Sequence, residues 1–248
     1  TIVSRFTNEK MAINDVKTTT NHVNANVSLN IFIVVSRMLA LDATITPGKF
    51  DIDTKSDLSD YHVVCLSPSW CEKLQPLVGE SISVPNPVEP PKLAGLERED
   101  FTLLMGRNDP VKGHNFGYSL GLEDLRVTGV DSAPEGVTAL GWVSEDEKWK
   151  LLQTAGCLIV PSQYEGQPMV ILEALSVGCP VVASTNIPDL PECVKAIGLD
   201  DSEGWKEAIS NPISEGLQEA VEMHQIKIVS KQWGEIYDRI IDSNASTE

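Results

Sequence analysis

Short apolar runs, set between polar and turn-rich segments, recur along this 248-residue chain. Residues 31–36, 61–66 and 82–84 form three of them, and residues 101–106, 125–130, 137–143, 157–160 and 181–183 form five more. The firmest, Cys157-Leu158-Ile159-Val160, is apolar at consecutive positions, which predicts a strand buried on both faces of a parallel sheet. Helical patterns with recognisable ends lie between the runs. Ser67-Pro68-Ser69 starts one that reaches about Leu74, and Ser144 with Glu147 three residues on makes a capping box. Pro168 opens and Gly178 closes a stretch of good helix formers. The tail, residues 213–242, reads as helix with Trp233, Ile236, Tyr237 and Ile240 at helical spacing. From Phe101 onward the alternation predicts a parallel βα sheet. Pro85, Pro87, Pro90 and Pro91 predict a linker before it, while residues 1–29 and 37–60 follow no firm pattern.

Composition narrows the classes of partner. The hydrophobic fraction of 42% is ordinary for a water-soluble domain, and no apolar run is long enough for a membrane span. The net charge is −17, and residues 98–248 carry 25 acidic against 11 basic side chains. Phosphate backbones are bound through clusters of Lys and Arg, so the balance argues against nucleic acid and against an anionic membrane surface. Any small anionic ligand must be met by a few local cations. Five cysteines without a C-x-x-C pair read as buried free thiols of a reducing compartment, and a cytoplasmic location is expected. Asn26-Val27-Ser28 and Asn244-Ala245-Ser246 match the glycosylation sequon and, with no secretory signal, read as chance. Residue 1 is Thr and not Met, so the natural start is expected to lie upstream.

Candidate chemistry concentrates in residues 157–184, CLIVPSQYEGQPMVILEALSVGCPVVAS. A buried strand runs into a polar loop and then into a helix, which places the loop at the carboxyl end of a strand, where open α/β sheets bind ligands. The helix start offers free N–H groups and a positive dipole end to a phosphate. Glu165 stands in the loop and Glu173 about five residues into the helix. Side chains lean toward a helix N-terminus, so the two carboxylates can flank one ligand and accept hydrogen bonds from pairs of sugar hydroxyls. The same spacing occurs in Glu72 and Glu80, Glu89 and Glu97, and Glu207 and Glu215, but none of these lies between a buried strand and a helix opened by proline.

PSQYEGQPMVILEAL followed by GCPVVAS resembles the donor-site signature of retaining, nucleotide-sugar-dependent glycosyltransferases of the GT-B fold, the group 1, glycogen-synthase-like and sucrose-synthase-like family. The resemblance implies an α/β fold with a Rossmann-type parallel-sheet donor domain, residues 95–230. A reduced or partial N-terminal α/β domain on the acceptor side, residues 1–94, precedes it. A C-terminal helix end and tail, residues 231–248, would pack back on the N-terminal part. YHVVCLSPSWCEKL and ISVPNPVEPP resemble the last elements of that N-terminal domain, with Pro87 where a glycine is usual. Gly106-Arg107 and Lys112-Gly113 resemble the family's diphosphate-holding pair. By the same resemblance Glu165 faces the donor sugar, Glu173 binds the ribose hydroxyls, and Trp142-Val143 lies against the base. The remaining donor contacts implied are Gly106, Ser162, Gly166 and the helix start at Gln167, Pro168, Met169 and Val170.

The expected activity is transfer of a sugar, with retention and without a metal or other cofactor, from a nucleoside-diphosphate sugar to a glycan, lipid-linked or small-molecule acceptor. Arg107, Lys112 and Glu165 are the expected catalytic residues. The alternatives are a non-catalytic sugar-nucleotide-binding module or pseudoenzyme, and a GT-B-fold epimerase or phosphorylase. The family's Gly-rich loop and sugar-contacting histidine have no match in the N-terminal part, where Ser4-Arg5 and Ser36-Arg37 stand beside the candidate strands. Asp51-Ile52-Asp53 mimics a D-x-D metal motif but is read as a solvated loop. Among His22, His62, His114 and His224 there is no metal-ligand spacing, and only His114, next to Lys112-Gly113, is a candidate for approaching a phosphate or acceptor.

Overall fold

The computed structural model describes residues 31–34, 62–92 and 95–245. The sequons at Asn26 and Asn244, the Asp51-Ile52-Asp53 triplet, His22 and the segment before residue 31 lie wholly or partly outside these residues. Two parallel sheets are present. The first joins β1 (Ile31–Val34), β2 (His62–Cys65) and β3 (Ser81–Ser83) in that order, with helix α1 (Pro68–Val78) between β2 and β3.

The second sheet contains β4 (Thr102–Leu104), β5 (Leu125–Val127), β6 (Val137–Ala139), β7 (Cys157–Val160), β8 (Val181–Ser184) and β9 (Lys195–Ile197). Its order is β6-β5-β4-β7-β8-β9, and every pairing is parallel. Helices α2 (His114–Ser119), α3 (Glu145–Thr154), α4 (Met169–Ser176) and α5 (Ser202–Ser210) provide or follow the crossovers. The central strands β4, β7 and β8 are buried along their whole length. One face packs Leu103, Leu158 and Val181 against Leu152 and Leu175 of α3 and α4, and the other packs Leu104, Ile159 and Val182 with Trp205 of α5. Consecutive apolar residues thus serve two layers of core, as a doubly covered sheet requires. Arg98 donates to the carbonyls of Leu152, Ala155 and Val177, tying together the carboxyl ends of α3 and α4, where a cation also complements the helix dipoles.

Three departures from the sequence reading have local causes. The final helix, α6 (Ile226–Ala245), begins later than residue 213, because residues 219–224 form a 3-10 turn and Gln225 is extended at ψ 135°. Strand β9 has an exposed centre and no apolar run to announce it. The proline-rich segment is not a free linker. Val88 is buried, donates its N–H to the His224 carbonyl at 2.7 Å and pairs with Gln225. Helix α6 carries Val229, Ile236 and Ile240 onto Val64 and Val84 of the first sheet. No helix among the described residues is long and apolar enough to cross a membrane.

Candidate functional site

Strands β4 and β7 are neighbours, yet the chain leaves β4 toward β5 and leaves β7 toward β8, on opposite sides. Such a reversal point opens a crevice at the carboxyl ends of the strands. The loop after β4 carries Gly106, Arg107 and Lys112, and the loop after β7 runs from Ser162 to Pro168. Gln163 N–H donates to the Val111 carbonyl at 2.8 Å. Gly113 sits at φ 73°, and a Cβ there would stand 2.1 Å from the Pro161 carbonyl oxygen, so only glycine permits this approach of the two loops.

The floor on the β4 side is built the same way. Gly129, at φ 74°, has room for no side chain, since a Cβ would lie 2.1 Å from the Gly106 carbonyl oxygen. Gly129 N–H donates to Gly141 at 2.7 Å, and Gly106 N–H donates to the Thr128 hydroxyl at 3.2 Å. The ends of β4, β5 and β6 are thereby drawn together under a cleft of about 180 Å³, with Arg107, Val143 and Lys148 on its walls and Trp142, 78% exposed, at its edge. Most small-molecule pockets span roughly 300–1,000 Å³, so this cleft is smaller than a whole site of that kind. The adjoining α3 starts at the Ser144 capping box, with both reciprocal bonds formed.

Each expected charged residue has a counter-charge. Arg107 pairs with Asp109 in its own turn at 3.0 Å and is 45% exposed, so the pair is weak. Lys112 donates to Glu165 at 2.5 Å, and the Ser162 hydroxyl donates to the same oxygen at 2.9 Å. The Lys112 stem passes 3.6 Å from where a Gly106 Cβ would be, which leaves this cation beside the cleft floor. Glu173 accepts from Lys148 at 2.7 Å. Gly106, Arg107, Trp142 and Val143 therefore meet in the cleft, Lys112, Ser162 and Glu165 form a second cluster, and Glu173 joins the cleft wall through Lys148.

Helix α4 begins at Met169 with Pro168 as N-cap, and no side chain caps it. Pro168 disfavours helical geometry at Gln167 before it, and of the first-turn amides Ile171 N–H donates to the Pro168 carbonyl at 3.1 Å, which leaves those of Met169 and Val170 as donors. Met169 is half-exposed at this tip, and Val170 packs against the core beneath. Gly166 and Gln167 face the other way. Trp70 Nε1 donates to the Gly166 carbonyl at 3.1 Å, and Asn86 N–H donates to the Gln167 carboxamide oxygen at 2.6 Å. The loop is thus held from the first sheet's side by two residues that sequence reasoning did not single out.

Lys148, Thr128 and Gly129 were also missed. Their signal exists only in the fold, where Lys148 reaches Glu173 from another helix 25 residues away. His114 does not open toward a ligand. It is 4% exposed, its Nε2 lies 3.4 Å from the Thr128 carbonyl, and burial pushes its pKa down, which favours the neutral ring. His224 Nδ1 lies 2.8 Å from the Asn86 carbonyl, and His62 is exposed on β2. All five cysteines are free, and burial raises the Cys157 thiol to about 12 and the Cys179 thiol to about 11, which suits packing and not nucleophilic chemistry.

The match to a known protein family falls on this same sheet. Residues 103–215 match the family model described as glycosyl transferases group 1. An 80-residue stretch is 41% identical to O-antigen chain mannosyltransferase B of Escherichia coli, covering 32% of this chain and 21% of the relative's length. The fold is similar to that of sucrose-phosphate synthase from Thermosynechococcus elongatus, with TM-score 0.70 and 17% identity over 87% of this chain and 68% of that one. It is also similar to S. aureus TarM, solved with fondaparinux, alpha-GlcNAc-glycerol and UDP, with TM-score 0.68 and 16% identity over 90% of this chain and 53% of that one. Residues 103–215 therefore match a group 1 glycosyltransferase domain, and the α/β architecture is that of the GT-B fold.

Proposed function

We propose that the chain binds a nucleoside-diphosphate sugar at the reversal point between β4 and β7 and transfers the sugar, with retained configuration, to a glycan, lipid-linked or small-molecule acceptor. What supports this reading is that the loops after β4 and β7, which carry Arg107, Lys112 and the approach to α4, are joined by the Gln163–Val111 bond and the Lys112–Glu165 pair at two adjacent strand ends of a strongly acidic chain. Binding of UDP by TarM, a protein of the same fold, is consistent with it. As the glycosidic bond breaks, negative charge builds on the departing diphosphate, and positioned donors at that place lower the barrier. Arg107 and Lys112 provide two cations and α4 provides backbone N–H groups. Lys112 exchanges Glu165 for phosphate oxygen when the donor arrives, and Glu165 is released toward the sugar. Trp142 offers its exposed face to the base, and Glu173 accepts from the ribose. These charges serve where a divalent ion serves in other transferases, so the reaction is metal-independent.

The test is incubation of the full chain with UDP- and GDP-sugars in excess EDTA, with product configuration read by NMR. Transfer or slow donor hydrolysis with retention is the expected result. Strict dependence on manganese or magnesium contradicts the reading, and nucleotide binding without any turnover of donor favours the non-catalytic binding module.

A further inference from the structure

Lys148 is the best-anchored charge in the cleft wall. Its ammonium lies 2.7 Å from Glu145 Oε1 and 2.7 Å from Glu173 Oε1, and it stands 4.8 Å from the centre of the Trp149 ring. Trp149 Nε1 in turn donates to the same Glu145 oxygen at 2.9 Å. The side chains of Lys148 and Glu173 are only 17% and 14% exposed, which makes the pair stiffer and less screened than a surface ion pair. The network runs Trp149, Glu145, Lys148, Glu173, from α3 to α4. One Glu173 oxygen is held by Lys148, whereas Oε2 has no hydrogen bond among the described residues. A carboxylate with one oxygen fixed and one open is set to accept from neighbouring hydroxyls without first finding its orientation.

We propose that Lys148 is a positioning residue that holds Glu173 toward the ribose and thereby gives the site its preference for ribonucleotides over deoxynucleotides. The inference rests on the donor-site reading above. Without Lys148, Glu173 would lose its anchor and stand near the uncompensated Glu145 carboxylate. The pair of ribose hydroxyls would then meet a mobile carboxylate, and its contribution to recognition would fall.

The experiment compares UDP and GDP with their 2′,3′-dideoxy counterparts by calorimetry on the full chain, unmutated and as Lys148→Met, Lys148→Gln and Lys148→Arg. The unmutated chain is expected to favour the ribose form ~10-fold, the value of one hydrogen bond to a charged acceptor. Lys148→Met and Lys148→Gln should bring that ratio to within about twofold, and Lys148→Arg should restore most of it. The ratio is taken on the folded molecules alone, so a loss of stability does not imitate the effect. If both neutral variants keep the unmutated ratio, Lys148 is only a strut between α3 and α4 and the proposal is overturned. If the unmutated chain binds neither UDP nor GDP, the donor-site reading itself fails and takes this proposal with it.

Discussion

At the residue scale, the two glutamates of the 165–173 segment occupy different electrostatic settings and should fail differently. Glu165 neutralises Lys112, so Glu165→Gln frees a cation that otherwise must give up its carboxylate partner before it can meet a phosphate. Nucleoside-diphosphate affinity should stay within about threefold or tighten, while turnover falls, because the carboxylate is proposed to act only where the sugar reacts. Glu173 is proposed to meet the ribose, a part of the donor that does not change in the reaction, so Glu173→Gln should weaken ground state and transition state alike. Paired titrations and rate assays check this, and a loss of nucleotide binding confined to Glu165→Gln would reverse the assignment. The counter-charges were only partly legible. Asp109 stands two residues from Arg107 in the sequence, whereas the Lys112–Glu165 and Lys148–Glu173 pairs join elements that only the sheet order brings together.

At the scale of elements, the site depends on how closely strand-end loops approach one another. Gly129→Ala must relieve a 2.1 Å contact with the Gly106 carbonyl as well as left-handed strain, whereas Gly121→Ala at φ 63° meets nothing within 4 Å. Gly121→Ala should cost about 1–2 kcal/mol of stability from backbone strain alone. Gly129→Ala should cost clearly more in denaturant unfolding and weaken nucleotide binding by moving Arg107. Equal costs would show that the loops are not in tight register. The elements around this floor were the readable ones. Buried apolar runs, the Ser144 capping box and the Pro168 and Gly178 boundaries are local signals, and their strands and helices stand where those signals put them, to within a few residues. Strand β9 and the start of α6 were not readable, because β9 owes its place to pairing with β8 and the 3-10 turn at residues 219–224 shares the amphipathic pattern of the helix behind it.

At the scale of the whole molecule, the two sheets are joined beside the site by polar contacts as well as by α6. Asp189, the one non-glycine residue at positive φ among the described residues, accepts from Ser69 Oγ at 2.6 Å and from Ser69 N–H at 3.2 Å. It thus caps the first turn of α1 from the loop between β8 and β9, where Ser67 makes no side-chain cap of its own. Burial pushes the Asp189 carboxyl up, but the hydrogen bonds it accepts from the Ser69 hydroxyl and N–H help to pull it further down, below its ordinary value. The ionised carboxylate is therefore the form the folded state favours. Its contribution should be complete above the ordinary value and be lost as pH falls through the lowered one. Thermal unfolding of the unmutated chain and Asp189→Asn should differ at pH 6 and converge toward pH 2, and a constant difference across that range would rule out the charged cap. None of this was visible beforehand, since Ser69 and Asp189 are 120 residues apart.

The central claim, that the reversal point between β4 and β7 holds a diphosphate, is tested most directly by calorimetric titration of UDP and GDP into the unmutated chain and into Arg107→Ala combined with Lys112→Ala. Two charge-assisted contacts should be lost, weakening the better-bound nucleotide by about 3 kcal/mol or more, over a hundredfold. Affinity unchanged by removal of both cations would contradict the account.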